Sequence, residues 1–298
     1  MEMAKRSLAT PEELYPFKAG AWWVDDVGAF HLADALDESF DALFLRHLGQ
    51  VGLVVTPAGI NIRWDTAFTA PEALAGVINR LLECRTEIPV SLDFCYQGWV
   101  RDMGLSPSQA INRILKVQEA RNIKVLYPTR IEEHSLSEIA TSSSRIRRGF
   151  QHWERSGGQF DKLSNDILAD LLPKVSIYQS DESEENVVFS WIGQNTLALQ
   201  VYGHEWAQAA LGQPFNETQG TEQKNYVDRT SAAYIDVWET GEPRYQFVCT
   251  QLFCDGIEVE WLHYARLLTR VALHGGRPGL VCLSDLVRHG PLPLPGIP

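Results

Sequence analysis

The chain has 298 residues, enough for two domains of ordinary size. With 45% hydrophobic and 21% charged residues it can bury a sizeable core without disulfide or metal staples. A formal net charge of −12 argues against a nucleic-acid-binding body, which needs a basic face.

The basic cluster Arg145, Arg147 and Arg148 is too short to hold a phosphate backbone and reads as a solvated helix face. Cys84, Cys95, Cys249, Cys254 and Cys282 are scattered and lack CxxC spacing, as expected of reduced thiols. The first residues contain no apolar core of signal-peptide length, and no later apolar run reaches the ~18 residues of a membrane span. The expectation is a cytoplasmic protein without a membrane partner.

Residues 1–20 read as a lead-in, with Pro11 and Pro16 limiting helix, and Phe40 to Leu48 carries a short helical apolar pattern. Val54 and Val55, then Ile60, Ile62 and Trp64, alternate around Pro57-Ala58-Gly59, which predicts a hairpin. Thr69 and Pro71 mark a helix start, and Leu74, Val77, Ile78, Leu81 and Leu82 follow at helical spacing. Ile88 to Trp99 returns to strand character, and Ser106-Pro107 opens a second helix. Residues 21–125 thus form an expected α/β domain of ββαβα order.

Residues 126–160 read as a helix or linker, polar and Ser-rich, with a break at Ser156-Gly157-Gly158. The acidic run Asp181–Glu185 predicts a solvated loop tip. From 161 to 290 the elements are more informative. An amphipathic helix covers Leu163–Leu172, and strands SIYQ and VVFSWIG follow. Two short helices, NTLALQVYG and HEWAQAALG, each end in glycine, and a longer helix runs from Lys224 to Trp238. Three β-rich runs finish the domain, with Asp255-Gly256 as the hairpin signal between the first two. Residues 291–298 are a tail.

Over about 163–286 this order resembles a PAS domain, and is similar to the divergent PAS-like proteins found in proteobacteria. The resemblance is carried by WIGQNTLALQVYGHEWAQAALGQPF, by the junction ETGEPRYQFV, and by the hairpin CDGIEVEWLHYARLL. It implies an α+β unit, a five-stranded antiparallel sheet with helices on one face and a cavity behind them. It also implies dimerisation through the helix before the first strand.

The short helices hold no cysteine in an Asn-Cys-Arg setting, which disfavours flavin adduct chemistry, and Lys224–Trp238 holds no histidine, which disfavours haem. His204 and His263 are the remaining haem-ligand candidates. The cofactor stays open. For a small organic ligand, one face of the last hairpin offers Cys249, Gln251, Trp261 and His263, with Tyr226, Arg229, Tyr234 and Trp238 on the long helix. Arg229 would pair a carboxylate. The bland alternative is that these aromatics only fill the core.

The alternate positions Val248, Leu252, Leu262 and Tyr264 are too apolar for a solvent face. With Ile167, Leu168 and Leu171 they form the expected dimer or partner surface. GxSxG, HExxH, Walker and GxGxxG motifs are absent, so no enzyme is expected. Asp25, Asp26, His31 and Asp34 imitate a metal cluster but read as a surface acidic stretch, and Cys95 as a buried thiol. The leading expectation is a PAS-containing signalling protein, a homodimer with a small ligand or a separate output protein and no nucleic acid. The alternatives are an interaction module with a filled cavity and an unfamiliar enzyme using the N-terminal domain.

Overall fold

The computed structural model describes residues 18–33, 48–84, 88–125, 128–181, 187–215, 217–218, 224–254, 258–288 and 290–297. The expected helix at Phe40–Leu48, most of the acidic loop, and the Asp255-Gly256 turn lie essentially outside them. The chain is mixed α/β and divides into two units, Met1–Val125 with Arg288–Pro298, and Leu126–Val287. Among the described residues no helix is long and apolar enough to cross a membrane.

The first unit holds β1 (Gly20–Val24), β2 (Phe30–Ala33), β3 (Val51–Thr56), β4 (Gly59–Asp65), α1 (Pro71–Leu82), β5 (Val90–Cys95), β6 (Trp99–Leu105) and α2 (Pro107–Ala120). Its strands run in the order β2-β1-β3-β4-β5-β6. Among the described strands of this unit only β4 and β5 pair in parallel, which is why a helix, α1, must carry the chain between them. Gly59 has a φ of +150°, and a Cβ there would stand 2.3 Å from the Pro89 carbonyl oxygen, so the turn into β4 admits only glycine.

Thr69 does not cap α1; Ala70 holds that position without a side-chain hydrogen bond, and Pro71 sits in the first turn. α2 starts on a full capping box between Ser106 and Gln109. Asp25 is a hairpin device: its carboxylate accepts from the Val27 and Ala29 N–H groups at 3.1 and 2.8 Å and meets His31 at 2.8 Å. Asp34 lies outside the described residues.

The tail is part of this unit's core. Leu292, Leu294 and Ile297 are buried, and the Leu292 N–H donates to Asp102 at 2.6 Å. Asp102 is 0% exposed and takes Arg113 Nε at 2.8 Å, while Arg113 Nη2 donates to the Leu292 carbonyl. One carboxylate and one guanidinium thereby hold strand, helix and tail together.

The second unit holds β7 (Arg130–His134), α3 (Ser144–Ser156), α4 (Asn165–Leu171), β8 (Val175–Ser180), β9 (Val187–Ile192), α5 (Leu197–Ala210), α6 (Lys224–Thr240), β10 (Arg244–Cys254), β11 (Glu258–Ala272) and β12 (Pro278–Leu286). All strand pairs are antiparallel, in the order β9-β8-β12-β11-β10-β7. Residues 126–160 carry a helix, α3, as one of the two expected alternatives, and also a strand, β7, that the residues did not announce. β7 adds a sixth strand, and its polar sequence suits an edge where Glu133 reaches Arg244 at 3.3 Å.

Helices cover both faces of this sheet, not one. On one face, Ile146, Phe150 and Trp153 of α3 pack on Ile177, Leu267, Val281 and Leu283. Gly149 permits that approach, since a Cβ there would lie 2.2 Å from Leu283 Cδ1. On the other face, α5 and α6 cover Tyr178, Val248, Tyr264, Leu268 and Leu280. α5 is broken at Gly203, whose φ is +82°.

Asp102→Ala should leave the Arg113 guanidinium buried without a counter-charge and lower stability by about 3–5 kcal/mol. Chemical denaturation followed by fluorescence measures it; a loss under ~1 kcal/mol would show that the ion pair does not hold the tail.

Candidate functional site

Between the sheet and the helices α5 and α6 lies a cavity of about 50 Å³. The sheet supplies Ser176 and Tyr178 from β8, Leu252 from β10, Leu262 and Tyr264 from β11, and Cys282 and Ser284 from β12. The helices add Leu197, Val201, Tyr202 and Trp206 from α5, and Tyr226 and Tyr234 from α6. Period-two alternation brings every second strand residue to this side. On α6, the eight-residue spacing of Tyr226 and Tyr234 keeps both on one stripe.

The polar groups here are partnered largely with one another. The Tyr226 and Tyr264 hydroxyls meet at 2.9 Å. The Tyr234 hydroxyl donates to Cys282 Sγ at 3.5 Å, and Cys282 lies 3.4 Å from Ser284 Oγ. Burial pushes the Tyr178, Tyr234 and Tyr264 phenols well above their usual range and also raises Tyr226, so all four stay protonated donors near neutral pH.

Beside them stands Arg266, 1% exposed, on the same sheet face. Its Nε donates to Gln246 Oε1 at 2.8 Å and its Nη2 to the Thr230 carbonyl at 3.2 Å. Its Cζ sits 5.2 Å from the Tyr234 ring centroid. Nη1 is buried and has no hydrogen-bond partner.

The structure brings together only part of the ligand set read from the sequence. Tyr226 and Tyr234 line the cavity. Trp238 lies further along α6, half-buried beneath Arg270, whose Cζ is 6.0 Å from its ring centroid, and Arg229 is exposed. Cys249, Gln251, Trp261 and His263 belong to the opposite sheet face, shared with Tyr245 and Phe247. The two faces are exchanged relative to the sequence reading.

The expected partner surface is corrected in the same way. Val248, Leu252 and Tyr264 are buried, and Leu262 half-buried, under α5 and α6 of their own unit. Ile167 and Leu168 are half-buried on α4, and Leu171 is buried on the α3 side with Trp153 and Phe160, away from those four. His204 is exposed beside a separate open hollow lined by Leu172, Trp191 and Leu211.

Sequence reasoning missed Tyr178, Cys282, Ser284, Gln246 and Arg266 as neighbours of one cavity. The visible signal was Gln246 and Arg266, polar residues flanked on their own strand faces by Val248 and by Tyr264 and Leu268.

On the opposite face, burial lowers the His263 imidazole to about 4, with Glu132 opposing and His134 adding to the shift. Its usual value is 6.5, so the unfolded chain binds more protons between those two values and stability falls as pH drops through that window. His263→Gln should remove that part of the acid sensitivity, measured as denaturation midpoints from pH 7 to 4. Parallel curves for both proteins would refute it.

No family model matches the chain, and no curated protein matches it. A solved structure of an RNA-binding light-oxygen-voltage receptor is similar to it, with 12% identity, a TM-score of 0.27, and coverage of 90% of this chain and 93% of that one. That neighbour is named as RNA-binding, contrary to the expectation of no nucleic-acid partner for this chain; the expectation rested on a net charge of −12, which averages over surfaces of either sign and does not by itself exclude such a partner.

Proposed function

We propose that the second unit is a PAS-like sensory module that holds a small ligand in the tyrosine-lined cavity. The observation that carries this reading is the convergence of four buried phenols, a thiol and two serine hydroxyls on one small cavity. Small-ligand sites have this composition, apolar walls with a few converging polar groups. Several of these donors bond to one another or to sulfur, which leaves them available to a guest.

The antiparallel sheet cupping the cavity, with α5 and α6 over it, supports the PAS-like reading made from the residues. Ligand binding would shift the population of α5 and α6 arrangements on the sheet. The break at Gly203 gives α5 a place to bend. The role is regulatory, not catalytic.

A second reading, an interaction module with a filled cavity, is favoured by the small volume of about 50 Å³. Thermal-shift screening of small polar compounds separates the two. A true ligand at 100 times its Kd adds about 2.7 kcal/mol, a rise of several degrees in melting temperature. Ser284→Met fills the cavity from its wall and should abolish that rise while the protein stays folded. If no compound moves the wild type, or the rise survives in Ser284→Met, the interaction module is the better account.

A further inference from the structure

Arg266 carries a charge that the rest of its surroundings leaves unanswered. Among the described residues it has no ion-pair partner, and only an amide oxygen and a backbone carbonyl receive its hydrogen bonds. Gln246 passes the contact on through its own amide to Glu133, so a carboxylate is engaged only one side chain away. A guanidinium stays protonated at any ordinary pH, and a buried charge is costly unless paired and hydrogen-bonded. Nη1, buried and without a partner, marks where that pairing is incomplete.

Arg266 stands just behind the cavity lining, and two of its neighbours are cavity walls. Tyr234 lies under the guanidinium, and Tyr264 is two residues before it on the same strand face. In the Tyr226–Tyr264 pair only one hydroxyl proton lies between the oxygens, which leaves the other to donate elsewhere. The Tyr234 proton rests on sulfur, a weak acceptor that an anionic oxygen would outcompete. Lys174 also borders the cavity, but Asp170 already neutralises it.

From these groups we infer that the cavity binds a small monovalent oxyanion, a short carboxylate or a nitrate-like ion, with Arg266 as its counter-charge and the phenols as donors. One uncompensated positive charge calls for one negative charge, and about 50 Å³ admits only a few heavy atoms. This rests on the reading of the cavity as a ligand site and specifies the ligand's class.

The test uses the full chain in chloride-free buffer, titrated with formate, acetate or nitrate at constant ionic strength balanced by sulfate. Melting temperature and tyrosine fluorescence are the readouts. The expected result is a saturable rise of several degrees with at least one monoanion and none with sulfate; the tighter of carboxylate and nitrate identifies the source. Arg266→Gln should weaken binding more than tenfold, and Tyr264→Phe several-fold. Should Arg266→Gln fail to fold, Tyr264→Phe carries the comparison. The inference is overturned if no monoanion gives a saturable shift, or if the variants that fold bind like wild type, in which case water satisfies Nη1. Neutral compounds that bind where anions do not would sink the anion class and keep the ligand site; binding by neither would sink both.

Discussion

Both faces of the C-terminal sheet are buried, and that single constraint decides most of what surrounds it. With α3 on one side and α5 and α6 on the other, most residues in the middle of the central strands point into a packed layer. A half-buried antiparallel sheet alternates apolar with polar, whereas a doubly covered one reads as near-continuous hydrophobe. β11 and β12, with LLTRVA and GLVCL, are of the second kind. A polar side chain in such a strand cannot turn to water, so Arg266, Gln246 and Thr250 must find partners inside the protein.

The same constraint sets what could be read from the residues alone. Strands at 175–180, 187–192 and in the last three runs, and the helices after Thr196 and from Lys224, follow from period and glycine placement. Which face carries the cavity does not. Tyr245, Phe247, Trp261 and His263 make as plausible a pocket wall as Val248, Leu262 and Tyr264, because both sets are buried and the choice depends on where α3 and α6 dock. β7 escaped notice for the opposite reason: RIEEH is polar because it lies at a sheet edge. The tail escaped too, since its anchor is a buried carboxylate, Asp102, nearly two hundred residues away in sequence.

Two buried arginines show how differently the units treat charge. Arg113 meets a carboxylate directly, and the pair is closed by the Leu292 N–H and carbonyl, with burial raising Asp102 and the guanidinium beside it pulling back. Both Asp102 oxygens and the Nε and Nη2 of Arg113 are hydrogen-bonded within that clasp, as a structural pair requires. Arg266 is as deeply buried, yet its partners are neutral and one nitrogen is unserved. If stability alone governed that position, a leucine or methionine on the same strand face would pack beneath Tyr234 at no electrostatic cost. An arginine there, beside four protonated phenols and a small apolar-walled cavity, makes sense where a negative charge comes and goes. Its arrival would tie β11 to α6 through Tyr226 and Tyr234, and its departure would loosen them, which couples occupancy of the cavity to the packing of the helix above it.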